Sequence, residues 1–303
     1  MKLDVLDIRK SFGDKEILHG ISFSVVSGRA MGFLGRNGAG KSTTIRCLMD
    51  VFRQDSGQFL LDGQPFRPWE KRIGYLPEER GMYQKNDVLG QLVYFAMLRG
   101  ADRASALKTA HYWIDYFGLS DFKKKKLETL SKGNQQKIQI AQSFLNEPEI
   151  LILDEPFSGL DPVNAQVFKD TIADFVKEGR LVIFSSHQMS YVEEVCDDVT
   201  LIHEGNILLT GDLKQIKREE GQDKLQLSLA EGDLDALKDQ LQAAFPQLHI
   251  TRRNGSLILD TRGQDLQAQL MAWLAEKEVR LHSFGLYEPS LTDIFIRKVG
   301  EQA

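Results

Sequence analysis

The chain has few cysteines, and it contains no apolar segment long enough to cross a membrane. Among its 303 residues only Cys47 and Cys196 are cysteines, which excludes a disulfide framework, and neither belongs to a metal-ligand cluster. The best apolar stretch, residues 88–98, is shorter than the roughly 18 residues that a transmembrane helix needs. The N-terminus carries acidic residues and no apolar run, unlike a secretory signal. These features predict a cytoplasmic protein.

An excess of positive charge is also missing. The chain has 38 lysine and arginine residues against 43 aspartate and glutamate residues, for a formal net charge of −5. Proteins that coat nucleic acid normally present a basic surface, so no nucleic-acid partner is expected. With 42% hydrophobic and 27% charged residues, the composition is that of ordinary globular proteins. A chain of this length usually forms one large domain or two moderate ones.

Over about the first two thirds of the chain, predicted strands alternate with predicted helices. Short apolar runs with the character of buried strands are residues 29–34, 150–153 and 181–184. Helical patterns occupy residues 43–51 and 162–177, and a longer helical region covers residues 87–145. Alternation of this kind predicts a parallel sheet in an α/β domain, which we place at residues 1–215.

The character of the sequence changes after residue 212. The charged stretch Lys214–Asp223 is predicted to be a linker, and residues 222–303 are predicted to form an accessory domain. Their pattern gives the order strand, helix, strand, strand, helix, strand. Asn254-Gly255 separates the two middle strands and is a strong hairpin signal, because both residues tolerate positive φ. This order predicts a small ferredoxin-like α+β domain.

A glycine-rich loop follows the first of the buried strands. Residues 35–42 read Gly-Arg-Asn-Gly-Ala-Gly-Lys-Ser, which matches the P-loop pattern at the start of a helix. Glycines let successive N–H groups turn inward around a phosphate, and the helix N-terminus adds its positive dipole. Lys41 is predicted to reach the β- and γ-phosphates, and Ser42 to ligate Mg²⁺. The predicted nucleotide-binding residues here are Gly35, Asn37, Gly38, Ala39, Gly40, Lys41, Ser42 and Thr43.

Two carboxylates and a histidine follow the next two buried strands. Asp154 and Glu155 stand where open α/β sheets bind ligands, at the carboxyl end of a strand. Asp154 is predicted to hold Mg²⁺, and Glu155 to polarise the water that attacks the γ-phosphate. His187 is predicted to contact the γ-phosphate or that water. The alternatives are solvated acids at a strand end and a structural histidine.

Together with the segment Leu-Ser-Lys-Gly-Asn-Gln-Gln at residues 130–136, these motifs resemble the nucleotide-binding subunit of ATP-binding cassette (ABC) transporters. The resemblance covers about residues 1–215. It implies a P-loop NTPase cassette with a RecA-like core, an antiparallel β-subdomain and a helical subdomain, the last at about residues 87–145. It also implies ATP as the nucleotide, Mg²⁺ as the metal, and Mg-dependent ATPase activity.

The resemblance implies further site residues. Phe12 corresponds to an aromatic residue that stacks on adenine. Ser131 and Gly133 correspond to the signature motif, which binds the γ-phosphate of ATP held by the opposite subunit. Asp161 corresponds to the D-loop, which crosses the interface of a dimer that encloses two ATP molecules. Each of these roles is an expectation from the family pattern.

The sequence departs from that pattern at three positions. In the signature motif, usually Leu-Ser-Gly-Gly-Gln, Lys132 replaces a glycine and Asn134 replaces the glutamine. In the Q-loop, Glu78 stands where glutamine is usual, and this carboxylate is expected to bind Mg²⁺. Similar variants, including Pro-Glu-Glu-Arg-Gly at residues 77–81, occur in a branch that resembles ABC-2-type exporters, including sodium and drug efflux relatives.

The resemblance also implies partners. A second copy of the chain or a paralogous ATPase subunit is expected to complete the dimer, and a separate polytopic permease to carry the cargo. The chain is then the ATP-hydrolysing subunit of an exporter, peripheral on the inner face of the cell membrane. A soluble ABC protein acting on ribosomes or DNA is an alternative, although such proteins usually carry two cassettes or long coiled coils. A non-hydrolysing ATP sensor is a third, which the presence of Glu155 and His187 disfavours.

Overall fold

The computed structural model describes residues 1–78 and 81–301, and the chain divides into two compact units. The first unit comprises residues 1–213 together with residues 298–303, and the second comprises residues 214–297. The first division therefore lies close to the predicted boundary at residue 215, whereas the second unit begins before residue 222 and ends before the C-terminus.

The secondary structure follows the α/β pattern read from the sequence. The strands are β1 (Lys2–Phe12), β2 (Lys15–Val26), β3 (Ala30–Leu34), β4 (Ser56–Leu61), β5 (Gln64–Pro65), β6 (Ile73–Leu76), β7 (Ile150–Asp154), β8 (Leu181–Ser186), β9 (Asp198–His203), β10 (Asn206–Asp212), β11 (Lys224–Leu229), β12 (His249–Arg253), β13 (Ser256–Asp260) and β14 (Leu281–Leu286). The helices are α1 (Lys41–Leu48), α2 (Val88–Leu98), α3 (Arg103–Tyr116), α4 (Lys132–Ser143), α5 (Pro162–Lys177), α6 (Met189–Val195), α7 (Leu213–Gly221), α8 (Leu234–Ala244), α9 (Gln267–Glu276) and α10 (Leu291–Gly300).

A largely parallel sheet with the order β10-β9-β3-β8-β7-β6 lies at the centre of the first unit. Its strands are parallel except for β10, which runs antiparallel to β9. Every residue of β3, β7 and β8 is buried, which agrees with the nearly continuous apolar sequence of these strands. The carboxyl ends of the three adjacent strands lie at the same edge of the sheet, which is where ligands bind in such folds.

An antiparallel sheet with the order β2-β1-β4-β5 packs against the central sheet. Leu3, Val5 and Ile8 of β1 are fully buried in a core that also contains Phe33 of β3 and Ile152 of β7. The two sheets therefore share one hydrophobic core. This is the antiparallel subdomain that the family resemblance implied.

Helices α2, α3 and α4 lie within residues 87–145, the range predicted for the helical subdomain. Each begins at a side chain that accepts a hydrogen bond from a backbone N–H of the first turn. Asp87 accepts from Gly90, Asp102 accepts from Ser105, and Ser131 accepts from Asn134. These caps satisfy N–H groups that have no partner within the helix, so they define where the helices start.

The second unit is a ferredoxin-like α+β domain, as predicted. Its antiparallel sheet has the order β12-β13-β11-β14. Helices α8 and α9 contribute Leu237, Leu241 and Leu270 to one core with Leu227 and Leu257 of the sheet. The hairpin between β12 and β13 turns at the predicted Asn-Gly pair, residues 254 and 255, with φ angles of 45° and 76°.

Most of the segment predicted to be a linker, Lys214–Asp223, forms helix α7. Lysine, arginine and glutamate form helices well, so a charged segment is not necessarily a flexible one. Within the described ranges, none of the helices combines the length and the apolar character that crossing a bilayer requires.

Candidate functional site

The glycine-rich loop joins the carboxyl end of β3 to the start of α1, and its path requires glycine. Gly38 and Gly40 have φ angles of 82° and 112°, which side chains rarely adopt. A Cβ atom at Gly35 would overlap the carbonyl oxygen of Ile202. Gly40 precedes α1 and offers no side-chain cap, so the helix N-terminus is left to a ligand such as phosphate. Of the remaining predicted residues, Asn37 and Ala39 lie in the loop and Thr43 lies in α1.

Lys41 is held inside this loop. Its side chain is almost fully buried, and Nζ donates to the carbonyl oxygens of Gly35 at 2.8 Å and Arg36 at 3.3 Å. Nζ also lies 3.6 Å from Oε1 of Glu155. An ammonium group in a buried position requires such partners, because desolvation of an unpaired charge is unfavourable. The loop therefore fixes a positive charge beside the end of β7.

Asp154 and Glu155 lie at the end of β7 and are both buried, with 2% and 9% of their surface exposed. Ser185 of the neighbouring strand β8 donates to Oδ1 of Asp154, and the Glu155 N–H donates to Oγ of Ser185 at 3.2 Å. Glu155 has a φ angle of 52°, in the left-handed region that residues other than glycine seldom adopt. Ser185 thus positions both acids, a role that the sequence did not reveal.

One oxygen of each of these carboxylates has no hydrogen-bond partner. Among the described residues, Oδ2 of Asp154 and Oε1 of Glu155 are buried and accept no hydrogen bond. Lys41 Nζ lies beside Oε1 of Glu155, whereas Oδ2 of Asp154 stays a buried acceptor, and buried acceptors are nearly always satisfied, so Oδ2 suits a cation.

His187 completes this cluster at the end of β8. Its Nδ1 lies 2.9 Å from Oε2 of Glu155, and less than half of the imidazole side chain is exposed. Glu155 therefore contacts Lys41 through one oxygen and His187 through the other. The structure brings together three residues that lie far apart in the sequence, as their strand-end positions predicted.

Glu78 reaches the start of α1. Oγ of Ser42 donates to Oε2 of Glu78 at 3.4 Å, so the predicted metal ligands Ser42 and Glu78 are neighbours. Oxygen ligands from Ser42, Glu78 and Asp154 suit Mg²⁺, which usually binds one or two carboxylates together with phosphate oxygens and water. Across residues 1–78 and 81–301, no three histidine, cysteine, aspartate or glutamate side chains are grouped as a metal site. Residues 79 and 80, which follow Glu78, lie outside the described residues.

Ser131 and Asp161 lie at helix N-termini and bond within their own helices. Oγ of Ser131 accepts from the N–H of Asn134 at 3.3 Å at the start of α4. Asp161 accepts from the N–H of Asn164 at 3.0 Å at the start of α5, and this hydrogen bond lowers the pKa of Asp161. A Cβ atom at Gly133 would find only the carbonyl oxygen of Gly159 nearby, at 3.7 Å. The start of α4 therefore leaves room for a ligand.

Phe12 ends β1 with half of its surface exposed. Its ring meets the edge of Phe52 at a centroid distance of 5.2 Å, and Nζ of Lys10 lies 5.3 Å from its centroid. An aromatic ring that is supported on one side and exposed on the other suits stacking with a planar base.

Comparison with known families supports the reading of both units. A family profile described as ABC transporter matches residues 18–158. A second profile, described as ATP-binding protein DrrA1-3-like, C-terminal domain, matches residues 211–299.

Several curated proteins are similar to the chain over nearly its full length. An uncharacterized ABC transporter ATP-binding protein of Bacillus subtilis, YhaQ, is 39% identical over 98% of both chains. The linearmycin resistance ATP-binding protein LnrL of Bacillus subtilis is 30% identical over 98% of both. The bacitracin transport ATP-binding protein BcrA of Bacillus licheniformis is 30% identical over 97% of this chain and 96% of its own.

Solved structures have the same cassette fold. An ATP-binding subunit of an ABC transporter superposes with a TM-score of 0.68 at 27% identity, covering 80% of this chain and all of its own. A nucleotide-free ATP-binding cassette gives a TM-score of 0.64 at 21% identity, over 72% of this chain and 94% of its own. Motifs, fold and full-length similarity agree, and the chain belongs to the family of ABC transporter ATP-binding subunits.

Proposed function

We propose that this chain hydrolyses ATP with Mg²⁺ and thereby powers export through a separate membrane-spanning subunit. The observation that supports hydrolysis is the position of Glu155, which contacts Lys41 Nζ at 3.6 Å and His187 Nδ1 at 2.9 Å. A subunit that only senses ATP needs neither a carboxylate nor an imidazole at this point of the sheet. The cluster therefore favours a catalytic subunit.

Each residue of the cluster has a role that follows from its position. When ATP binds, its β- and γ-phosphates replace the carbonyl oxygens of Gly35 and Arg36 as partners of Lys41. Glu155 orients and polarises the attacking water, while His187 holds the carboxylate and contacts the γ-phosphate. Little covalent chemistry is required of the protein, because phosphoryl transfer depends mainly on positioning and charge neutralisation.

Ser42, Glu78 and Asp154 are the residues that would hold Mg²⁺. The hydroxyl of Ser185 occupies one oxygen of Asp154, which leaves the buried Oδ2 for the ion. A Mg²⁺ ion held there would supply positive charge that offsets the negative charge of the phosphates. Contact between Ser42 and Glu78 supports a shared role of these two side chains.

We further propose that two cassettes enclose ATP between them, the second being another copy of this chain or a paralogous subunit. In that arrangement Phe12 stacks on adenine, while the glycine-rich loop binds the phosphates. Ser131 and Gly133 of the opposite subunit contact the γ-phosphate through the N-terminus of α4. Asp161 lies at the interface. The open space at Gly133 supports close approach of a phosphate.

The names of two relatives support the transport role. One is called a linearmycin resistance protein and the other a bacitracin transport protein, and both align with almost the whole chain. We propose that this chain likewise works with a polytopic permease, which holds it at the inner face of the cell membrane.

Co-purification with nucleotide tests this function. A tagged Glu155→Gln variant, loaded with ATP, is incubated with detergent-solubilised membranes of the native cell, and captured proteins are identified by mass spectrometry. We expect a polytopic membrane protein to be recovered with ATP, and to be depleted when Lys41→Ala replaces Glu155→Gln. Recovery of ribosomal or DNA-repair proteins without a membrane protein would retain the ATPase and overturn the transport role.

A further inference from the structure

Glu78 adds a carboxylate to the region where two buried acids already lie. Ser42 Oγ donates to Glu78 Oε2 at 3.4 Å, and Ser42 is adjacent to Lys41, which contacts Glu155. Asp154, at the end of the same strand as Glu155, is 2% exposed and has one oxygen without a partner. The proposed nucleotide site therefore has a third carboxylate, that of Glu78, in addition to those of Asp154 and Glu155.

The negative charge of Glu78 should have opposite effects on the binding of metal-free ATP and of metal-bound ATP. Metal-free ATP is a polyanion, and like charges a few ångströms apart repel strongly where water is partly excluded. A divalent cation placed between the phosphates and the carboxylates attracts both, and a carboxylate attracts it more strongly than a neutral amide oxygen. Glu78 should thus weaken the binding of metal-free ATP and strengthen the binding of metal-bound ATP.

We propose that Glu78 makes this site selective for the metal–nucleotide complex, weakening the binding of metal-free ATP and strengthening the binding of metal-bound ATP. The inference rests on the proposed function, since it takes the glycine-rich loop as the phosphate site. By linkage, ATP raises the affinity of the site for the divalent ion by the same factor by which the ion raises the affinity for ATP. Nucleotide and metal therefore bind as a unit.

The environment of Asp154 reinforces this coupling. Ser185 fixes one carboxylate oxygen of Asp154, so the other is held in place before any ion arrives. The unpaired buried oxygen is destabilising until a cation satisfies it, which adds to the preference for the metal-bound form. Glu78 is exposed, so salt screens its part of the effect. Low ionic strength is accordingly the condition in which the contribution of Glu78 is largest.

A binding measurement that does not depend on turnover tests the proposal. A fluorescent N-methylanthraniloyl-ATP probe is titrated into the full-length protein at low salt, first with EDTA and then with Mg²⁺. Glu78→Gln removes the charge while keeping the shape of the side chain. We expect this variant to bind the probe more tightly than wild type in EDTA and more weakly in Mg²⁺, so that the ratio of the two affinities falls about tenfold.

Two further variants separate the charge at this position from charge in general. Glu70→Gln removes an exposed carboxylate, paired with Arg67, outside the site, and should leave the ratio of affinities unchanged. Glu78→Asp keeps the charge and should retain most of the wild-type ratio. Circular dichroism of each variant confirms that folding is intact, as expected for changes at exposed positions.

The outcomes distinguish this inference from the function on which it rests. If Lys41→Ala binds the probe as tightly as wild type, the loop is not the phosphate site and the proposed function fails. If Lys41→Ala loses binding while Glu78→Gln keeps the wild-type ratio, the function stands and the role of Glu78 is overturned. An equal change of probe affinity in EDTA and in Mg²⁺ would also overturn it, because a structural disturbance of the loop would change both affinities alike.

Discussion

Lys41 Nζ lies 3.6 Å from Glu155 Oε1, which joins the glycine-rich loop after β3 to the end of β7 by an ion pair. Both side chains are largely buried, at 6% and 10% exposure. A buried charge that loses its partner is strongly unfavourable, so each residue depends on the other before nucleotide binds. In the proposed function, ATP phosphates would compete with Glu155 for Lys41, and binding would free the carboxylate to act on water.

Replacement of Glu155 by glutamine tests this relationship. The amide keeps the size of the side chain, but it carries no charge, has only one accepting oxygen for Lys41 and His187, and cannot take a proton from water. We expect the turnover number to fall by at least about 100-fold, while the affinity for ATP stays within a few-fold of wild type. Phosphate release measures the first quantity, and titration with a fluorescent nucleotide measures the second.

The matched control is Glu149→Gln. Glu149 directly precedes β7, and its partly exposed carboxylate pairs with Arg72. This variant should leave turnover near the wild-type value. Normal turnover in Glu155→Gln would instead assign activation of the water to another residue.

Those residues of the candidate site that short sequence segments reveal could be predicted from the sequence. The glycine-rich loop carries its own signature, and the acids of β7 and the histidine of β8 follow apolar runs that predict buried strands. These residues lie close together because neighbouring parallel strands end at the same edge of the sheet. The role of Ser185 could not be predicted, since it requires knowing that β7 and β8 are neighbours.

Strands β9 and β10 were not predicted, and the reason lies in their polar residues. Thr200 is fully buried in the middle of β9, where it interrupts the apolar run. Its hydroxyl hydrogen-bonds that of Thr210 of β10 at 2.7 Å, which removes the penalty for burying both groups. A pairing between two strands is thus what makes the polar residue compatible with a core, and no single segment shows it.

Gly74 in β6 marks a place where the fold depends on the absence of a side chain. A Cβ atom there would overlap the carbonyl oxygen of Ser143 at the end of α4, and would lie 2.8 Å from Cδ1 of Leu151. We expect Gly74→Ala to lower the free energy of unfolding by about 1–3 kcal/mol, because β6 must move away from well-packed neighbours. Urea denaturation, followed by far-UV circular dichroism, measures the change.

The control for this prediction is Gly81→Ala. Among residues 1–78 and 81–301, no heavy atom lies within 4 Å of a Cβ atom at Gly81, so this variant should be close to wild type in stability. An equal loss of stability in the two variants would mean that backbone freedom, rather than overlap with Ser143, is responsible.

In the second unit, Asp293 of α10 has two partners, Arg253 at the end of β12 and Tyr287 directly after β14. Its carboxylate accepts from the guanidinium of Arg253 and, at 3.2 Å, from the hydroxyl of Tyr287. The side chain is 15% exposed, so the pair is partly shielded from water. We expect Asp293→Asn to destabilise this unit by about 1–2 kcal/mol, since Arg253 loses its charged partner.

Hydrogen exchange read separately over residues 214–297 measures this effect. Asp235→Asn is the matched control, because Asp235 also pairs with an arginine, Arg252, but both side chains are more than half exposed. Exposed pairs contribute little, and the control should change the exchange free energy by less than about 0.5 kcal/mol. A larger effect in the control than in Asp293→Asn would contradict the assigned role of the Asp293 contacts.

The two cysteines are packing residues, and their reactivity should show it. Burial raises the pKa of Cys47 to about 11, and it raises the pKa of Cys196 well above the ordinary value of a thiol. For a pKa of 11, about one molecule in a thousand carries the thiolate at pH 8. Cys47 is also buried, and Cys196 is only partly exposed. We therefore expect iodoacetamide to modify neither cysteine in the native protein at pH 8, and both after denaturation, as mass spectrometry will detect.

The same shift gives a pH dependence of stability. The folded protein holds the Cys47 proton more tightly than the unfolded chain, whose thiol has a pKa near 9.0. Its contribution is therefore fully present below pH 9 and is lost as the pH rises toward 11. Urea denaturation between pH 8 and pH 10.5 should show falling stability, and the fall should be smaller in Cys47→Ala, which has no thiol to ionise. Rapid alkylation of the native protein, or an equally steep fall in Cys47→Ala, would show that Cys47 is accessible or that other groups govern the alkaline limit.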